Sequence, residues 1–208
     1  MSEEATVLVE DAGGIRIITL NRPDRLNALN DSIMAPLAVA VADAAKDETV
    51  GCVVVTGAGR GFCSGGDLKG NRAPAEVTPE VGGPTEQGHV RLRSHMETAR
   101  LLHEMRKPTI AMVNGPVAGA GIGIAGACDL RLAGESATFL SAFDRIGGSG
   151  DFGSTWFWTK ILGTAKAREL FFMGEKLDAE AALAFGLYTR LFPDETLRDE
   201  TLKVAKRL

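Results

Sequence analysis

The stretch "NGPVAGAGIGIAGACDL", residues 114–130, constrains this chain more than any other, because glycines at 115, 119, 121, 123 and 126 interrupt an apolar run. An interior glycine costs a helix about 1 kcal/mol relative to alanine, so five of them where a strand hands over to a helix need a cause. Either a backbone must come very close to a neighbour, or a ligand sits on the helix end. A second segment, "VVVTGAGRGFCSGGDLK" (53–69), repeats the order of apolar strand, glycines and helix start. Helix N-termini carry unpaired N–H groups and a positive dipole end. Two such ends facing each other would make an oxyanion hole from backbone alone.

The surrounding pattern places these segments in an α/β fold. "TVLVE" and "IRIITL", separated by "DAGG", read as a hairpin. "NDSIMAPLAVAVADAAKD" reads as a helix capped by Asn30 or Asp31, with Pro36 weakening its start. "VGCVVVTG" and "TIAMVN" are buried strands, and strand, helix, strand implies a parallel layer. Residues 70–88, rich in Pro and Gly, are expected to form a mobile loop that closes over a ligand. A helical face runs from His89 to Met105, and "DLRLA" and "ATFLSAF" are expected strands. Helices follow around 154–162, 165–173, 178–185 (capped by Asp178) and 195–208. The 208 residues fit one domain. The chain stops at "KVAKRL" inside a helical pattern, so the helical part, 161–208, is expected to be incomplete.

Composition removes several classes of function. With 23 basic against 27 acidic residues and no basic block, nucleic acid is not an expected partner. No apolar stretch has transmembrane length, and "MSEEATVLVE" lacks a basic start and an apolar signal core, so the expectation is a cytoplasmic protein without a membrane partner. Cys52, Cys63 and Cys128 lack zinc-type spacing, and His89, His95 and His103 lack the i, i+4 pairing of a metal site. No metal is expected.

Gly121-x-Gly123-x-x-Gly126 is a literal dinucleotide fingerprint, but Pro116 interrupts the tight strand-to-helix turn that such a site needs. "TGAGRGFC" echoes a short-chain dehydrogenase turn, yet Cys63 stands at its last glycine. The only tyrosine, Tyr188, is followed four residues on by Phe192 rather than lysine. Close packing of a helix on a sheet is the plain alternative for the glycines. Asp151, in "GGSGDFGSTW", reads either as a reactive carboxylate or as a loop residue capping the next helix, with Ser154 competing for the cap. Phe139, Phe143, Phe152, Trp156 and Trp158 are core residues by default.

Taken in order, "NRPDRLNALN", "GRGFCSGGDLK", "KPTIAMVNGPVAGAGIGIAGACDLRLA" and "ATFLSAFDRIG…GDFGSTWFWTKILG" resemble the crotonase (enoyl-CoA hydratase/isomerase) superfamily from about residue 6 onward. The resemblance implies a spiral of ββα units over about 1–160 followed by C-terminal helices. It also implies acyl-CoA substrates, with coenzyme A as part of the substrate and no tightly bound cofactor, and trimers or dimers of trimers. The N–H groups of Gly66 and Ala120 would form the oxyanion hole. Arg25, the backbone around Ala28, and Ser64, Asp67 and Leu68 would border the CoA groove. The two glutamates of the family's hydratases would fall at Gly123 and Phe143, so neither carboxylate is present. Asp151 matches the acid of the phenylacetate-pathway ring-epoxide isomerase and Δ3,Δ2-enoyl-CoA isomerase branch, which shuttles a proton between C2 and C4. Ser149-Gly150 depart from the apolar residue and proline of that branch. Phe143 and Trp156 would line the acyl pocket. A hydratase with another acid/base set, a dehalogenase using Asp151 as nucleophile with His89 or His95 as helper, and a CoA-binding scaffold without turnover are the competing readings. Asp144 is expected on the opposite face.

Overall fold

The computed structural model describes residues 5–67 and 84–208. Strands β1 (Val7–Ala12) and β2 (Ile15–Leu20) form the expected antiparallel hairpin. Gly13 and Gly14 turn it with φ of 60° and 83°, which side chains rarely adopt. Helix α1 (Asp31–Lys46) crosses to β3 (Cys52–Gly57), and α2 (Pro84–Glu104) leads to β4 (Thr109–Val113). A two-residue strand, β5 (Val117–Ala118), precedes α3 (Ala120–Ala127). Then come β6 (Leu130–Gly134), the short β7 (Phe139–Leu140), α4 (Ser154–Leu162), α5 (Thr164–Met173), α6 (Ala179–Phe185), β8 (Arg190–Phe192) and α7 (Leu197–Ala205). The main sheet runs β1-β2-β3-β4-β6-β8 and is parallel from β2 onward, while β5 and β7 pair separately.

Alternation along the strands splits the core into two layers. Ile18, Leu20, Val53, Val55, Ala111 and Val113 face the side covered by α1 and α3. Ile15, Ile17, Cys52, Val54, Ile110 and Met112 face the side covered by Leu197 and Ala205 of α7. A sheet buried on both faces has continuous apolar strands, which is why "VGCVVVTG" shows no polar alternation. Pro36 lies inside α1 and cannot donate to the Ser32 carbonyl. The Thr6 hydroxyl donates to that oxygen instead, at 2.6 Å.

Four local expectations change. Residues 84–88 of the expected loop belong to α2, and 70–83 lie outside the described residues. "ATFLSAF" pairs only at Phe139–Leu140, because Ala142 takes φ 62° and leaves the extended region. Asn30 is the cap of α1 by position, yet its side chain makes no capping bond. Strand β8 adds an edge that the sequence pattern did not mark. Asp178 does cap α6, accepting from Ala181 N at 2.8 Å.

Candidate active site at two glycine segments

Both glycine segments leave the carboxyl ends of adjacent parallel strands, β3 and β4, where open α/β sheets form their ligand crevices. Past the strands they continue side by side. Cys63 N donates to Pro116 O and Ala118 N to Cys63 O. Gly65 then turns with φ 91°, and a Cβ there would stand 2.9 Å from Ala118 O and 3.2 Å from Ala120 N. The backbone of Gly65-Gly66 therefore runs against the first turn of α3. Neither Gly66 N nor Ala120 N has an acceptor among the described residues, whereas their neighbours Asp67 N and Gly119 N bond to Leu29 O and Leu140 O. Asn114 fixes the approach: its Oδ1 accepts from Gly57 N at 3.1 Å and its Nδ2 donates to Gly59 O at 2.9 Å.

The remaining glycines of α3 serve packing. A Cβ on Gly121 would stand 2.6 Å from Cys63 O. On Gly126 it would press against Phe157 and Trp158, whose Nε1 donates to Ile122 O at 3.2 Å. On Gly123 it would lie 2.5 Å from Phe152 Cβ and 3.2 Å from Asp151 O. The space that a side chain at Gly123 would need is thus filled by the backbone and side chain of the Asp151–Phe152 turn. Gly123→Ala is expected to destabilise the fold by about 1–3 kcal/mol through overpacking, read as a lower urea midpoint with an unchanged slope.

The same turn carries the candidate acid. Gly150 (φ 105°), Phe152 (φ 48°) and Gly153 (φ 70°) are all left-handed, and a non-glycine residue there stores about 1–3 kcal/mol. Asp151 does not cap α4 with its side chain. Its carbonyl accepts from Ser154 N at 2.9 Å, while Oδ1 is buried without a hydrogen-bond partner among the described residues. Burial pushes the Asp151 carboxyl up to about 6, against a smaller lowering by its own backbone N–H. The carboxylate also bears on Cys63, two residues before Gly65, whose thiol is pushed up to about 12, chiefly by burial and in small part by the Asp151 charge. A carboxylate that is part neutral and part ionised near neutrality, with an unused oxygen, is suited to proton transfer.

The other sequence-derived residues scatter more. Arg25 is exposed in a single 3₁₀ turn (Pro23–Arg25), and Ala28 is buried. Ser64 Oγ donates to Arg25 O at 3.3 Å, which ties the two flanks of the groove together. Asp67 turns its carboxylate inward onto Arg22 at 3.0 Å, and Leu68 lies outside the described residues. Phe143 is buried and tilts against Phe171 at 6.2 Å. Trp156 stands apart from it: 51% exposed, it meets His103 edge-on at 5.1 Å beneath Lys160. Asp144 opens a 3₁₀ turn rather than an extended segment and lies against Gly174. Among the described residues no cluster of His, Cys, Asp or Glu could hold a metal, and no helix is long and apolar enough to cross a membrane. Sequence reasoning missed Arg22, whose partners lie 6 and 45 residues away.

Comparison with known proteins bears on the fold and the family. Residues 10–208 match the family described as enoyl-CoA hydratase/isomerase. The chain is 39% identical over 196 residues to the 1,2-epoxyphenylacetyl-CoA isomerase of Escherichia coli, covering 94% of this chain and 72% of that one. It superposes on a probable enoyl-CoA hydratase/isomerase from Mycobacterium abscessus with a TM-score of 0.85, at 32% identity over 97% of this chain and 75% of the other. A monofunctional enoyl CoA isomerase from M. smegmatis gives a TM-score of 0.77, at 31% identity over 98% and 84%. By this family match and these identities, the chain belongs to the enoyl-CoA hydratase/isomerase family.

Proposed function

We propose that this enzyme isomerises an unsaturated acyl-CoA by a 1,3-proton shift, with Asp151 as the only proton carrier. The thioester oxygen would sit between Gly66 N and Ala120 N, two amides without acceptors among the described residues, at the positive end of α3. Asp151 takes the α-proton, the electrons move into the thioester carbonyl, and the two amides favour the resulting enolate over the ground state. Asp151 then returns the same proton to C4 as the double bond migrates. One carboxylate suffices because the proton removed is the proton returned. The observation that carries this reading is the orphaned, desolvated Asp151 oxygen on a turn that occupies the space above Gly123. That packing leaves no room for the second carboxylate that hydration by the usual pair requires.

Arg25 and the backbone around Ala28 would seat the CoA nucleotide, with Ser64 and Asp67 beside the groove, and buried Phe143 would wall the acyl chain. Trp156 is better placed to meet α2 than the substrate. Phe172 and Met173, 77% and 62% exposed, support an assembly that covers them, such as the homotrimer or dimer of trimers implied by the family.

The test is a pH–rate profile on a β,γ-unsaturated hexenoyl-CoA with exchange followed in D₂O. Asp151 must be ionised to act as base, so kcat/KM is expected to rise with pH through about 6 and then level off. α-Proton exchange should follow the same curve. A flat profile from pH 5 to 8, with activity intact, would remove Asp151 from the reaction.

A further inference from the structure

The turn from Arg22 to Leu29 and the segment from Ser64 to Asp67 are joined more thoroughly than two loops at a sheet edge need to be. Arg22 lies at the centre of the joint. Its carbonyl accepts from Arg25 N and Asn27 N, both at 2.9 Å, and its own N–H donates to Asn27 Oδ1 at 2.8 Å. Its guanidinium donates through Nη1 to Ala28 O at 2.5 Å and through Nη2 to Asp67 Oδ2 at 3.0 Å. The Arg22 side chain is 18% exposed and the Asp67 side chain 8%, so the pair is shielded from solvent and salt. Backbone bonds complete the zip: Ser64 N to Leu26 O, Leu29 N to Gly65 O, and Asp67 N to Leu29 O. The turn also holds Leu26 and Asn27 at φ of 48° and 56°, a conformation that persists only where the surroundings impose it.

One guanidinium thus touches a carbonyl on the flank assigned to the nucleotide and a carboxylate one residue beyond Gly66. We propose that Arg22 and Asp67 form a positioning clamp that couples the CoA-binding turn to the Gly66 amide, so that nucleotide seated on the turn holds this amide in its catalytic place. This rests on the reading of Gly66 N as an oxyanion donor. Arg22 acts through Ala28 and Asp67, not on the substrate, and Arg is suited to the task because its planar fork serves two acceptors at once. A lysine ammonium has no such fork. The consequence is kinetic: binding energy from the remote nucleotide is expressed in kcat and not only in KM.

The experiment compares a β,γ-unsaturated hexenoyl-CoA with the corresponding N-acetylcysteamine thioester, which lacks the nucleotide. Each is assayed in the native enzyme and in Arg22→Met, Arg22→Lys, Asp67→Asn and the Arg22→Met/Asp67→Asn double variant. In the native enzyme kcat for the CoA ester should exceed that for the truncated ester. That excess should shrink about tenfold in each single variant, within the 5–150-fold span of typical site couplings, and no further in the double variant. Arg22→Lys keeps the charge and guards against loss of folding, which the circular-dichroism melt of each variant checks. Equal kcat losses for both esters, a rise in KM alone, or additive effects in the double variant would overturn the clamp. Gly66→Pro separates the two readings: if it is folded and active, the oxyanion assignment fails; if it is inactive while Arg22→Met keeps the full excess, the clamp alone fails.

Discussion

Replacing Ala120 or Gly66 by proline is expected to lower kcat on a β,γ-unsaturated hexenoyl-CoA by about 10²–10³ each, the usual effect of removing one oxyanion donor. Proline removes the N–H at each position. Ala120 is the first residue of α3, where proline is well tolerated because its missing donor has no helical partner. Gly66 bonds to the neighbouring turn through the flanking Gly65 carbonyl and Asp67 amide, so the short ladder with Leu29 survives. The control is Gly66→Ala. Among the described residues a Cβ at Gly66 meets nothing within 4 Å, and the N–H is kept, so the loss should stay below about tenfold. A folded proline variant that keeps more than a tenth of native kcat would show that its amide does not carry the oxyanion.

The readability of this site follows from what each part is made of. Backbone donors leave a signature in sequence because the backbone must come close, and glycine is what permits it: Gly65 against Ala120 N and Gly119 at φ 51° are such places. Yet the glycines that most crowd the opening stretch, 121, 123 and 126, turn out to accommodate Cys63, Phe152 and Trp158. Spacing alone could not sort hole from packing, since both demand a missing side chain. The hairpin, α1 and the Asp178 cap were legible because each depends on residues a few positions apart. Strand β8 was not, because three residues before Pro193 carry no periodicity and owe their pairing to β6, far back in the chain. The shortness of β7 was hidden likewise, since nothing in "LSAF" announces the left-handed Ala142. The Arg22–Asp67 pair spans 45 residues and is visible only once the two turns are folded together. Asp151 was legible as a carboxylate, but not as a desolvated one, because its turn packs into the space left at Gly123 of α3, far back in the chain.

That burial gives Asp151→Asn two opposite expected effects. Asparagine keeps the size of the side chain but cannot carry the proton, so isomerisation and α-proton exchange should fall by about 10²–10⁴, the usual worth of a positioned general base. CoA binding should remain. Stability should move the other way. A carboxyl whose folded pKa is raised to about 6 holds its proton more tightly folded than unfolded. Its contribution to stability is therefore full below the unfolded value near 4, and is lost as pH rises through about 6. At pH 7.5 the native enzyme bears the cost of a partly desolvated charge, and Asn removes it. With partial solvent screening the gain should be about 1–2 kcal/mol at pH 7.5 and close to nothing at pH 4. Thermal melts of both proteins at the two pH values measure it. A structural cap would behave in the reverse way, losing stability at pH 7.5 while keeping activity. Asp144→Asn is the internal control, since Asp144 lies in an exposed 3₁₀ turn, and it should leave activity unchanged. If Asp151→Asn loses less than about tenfold in kcat, or is destabilised at pH 7.5, the carboxylate holds the turn and does not move the proton.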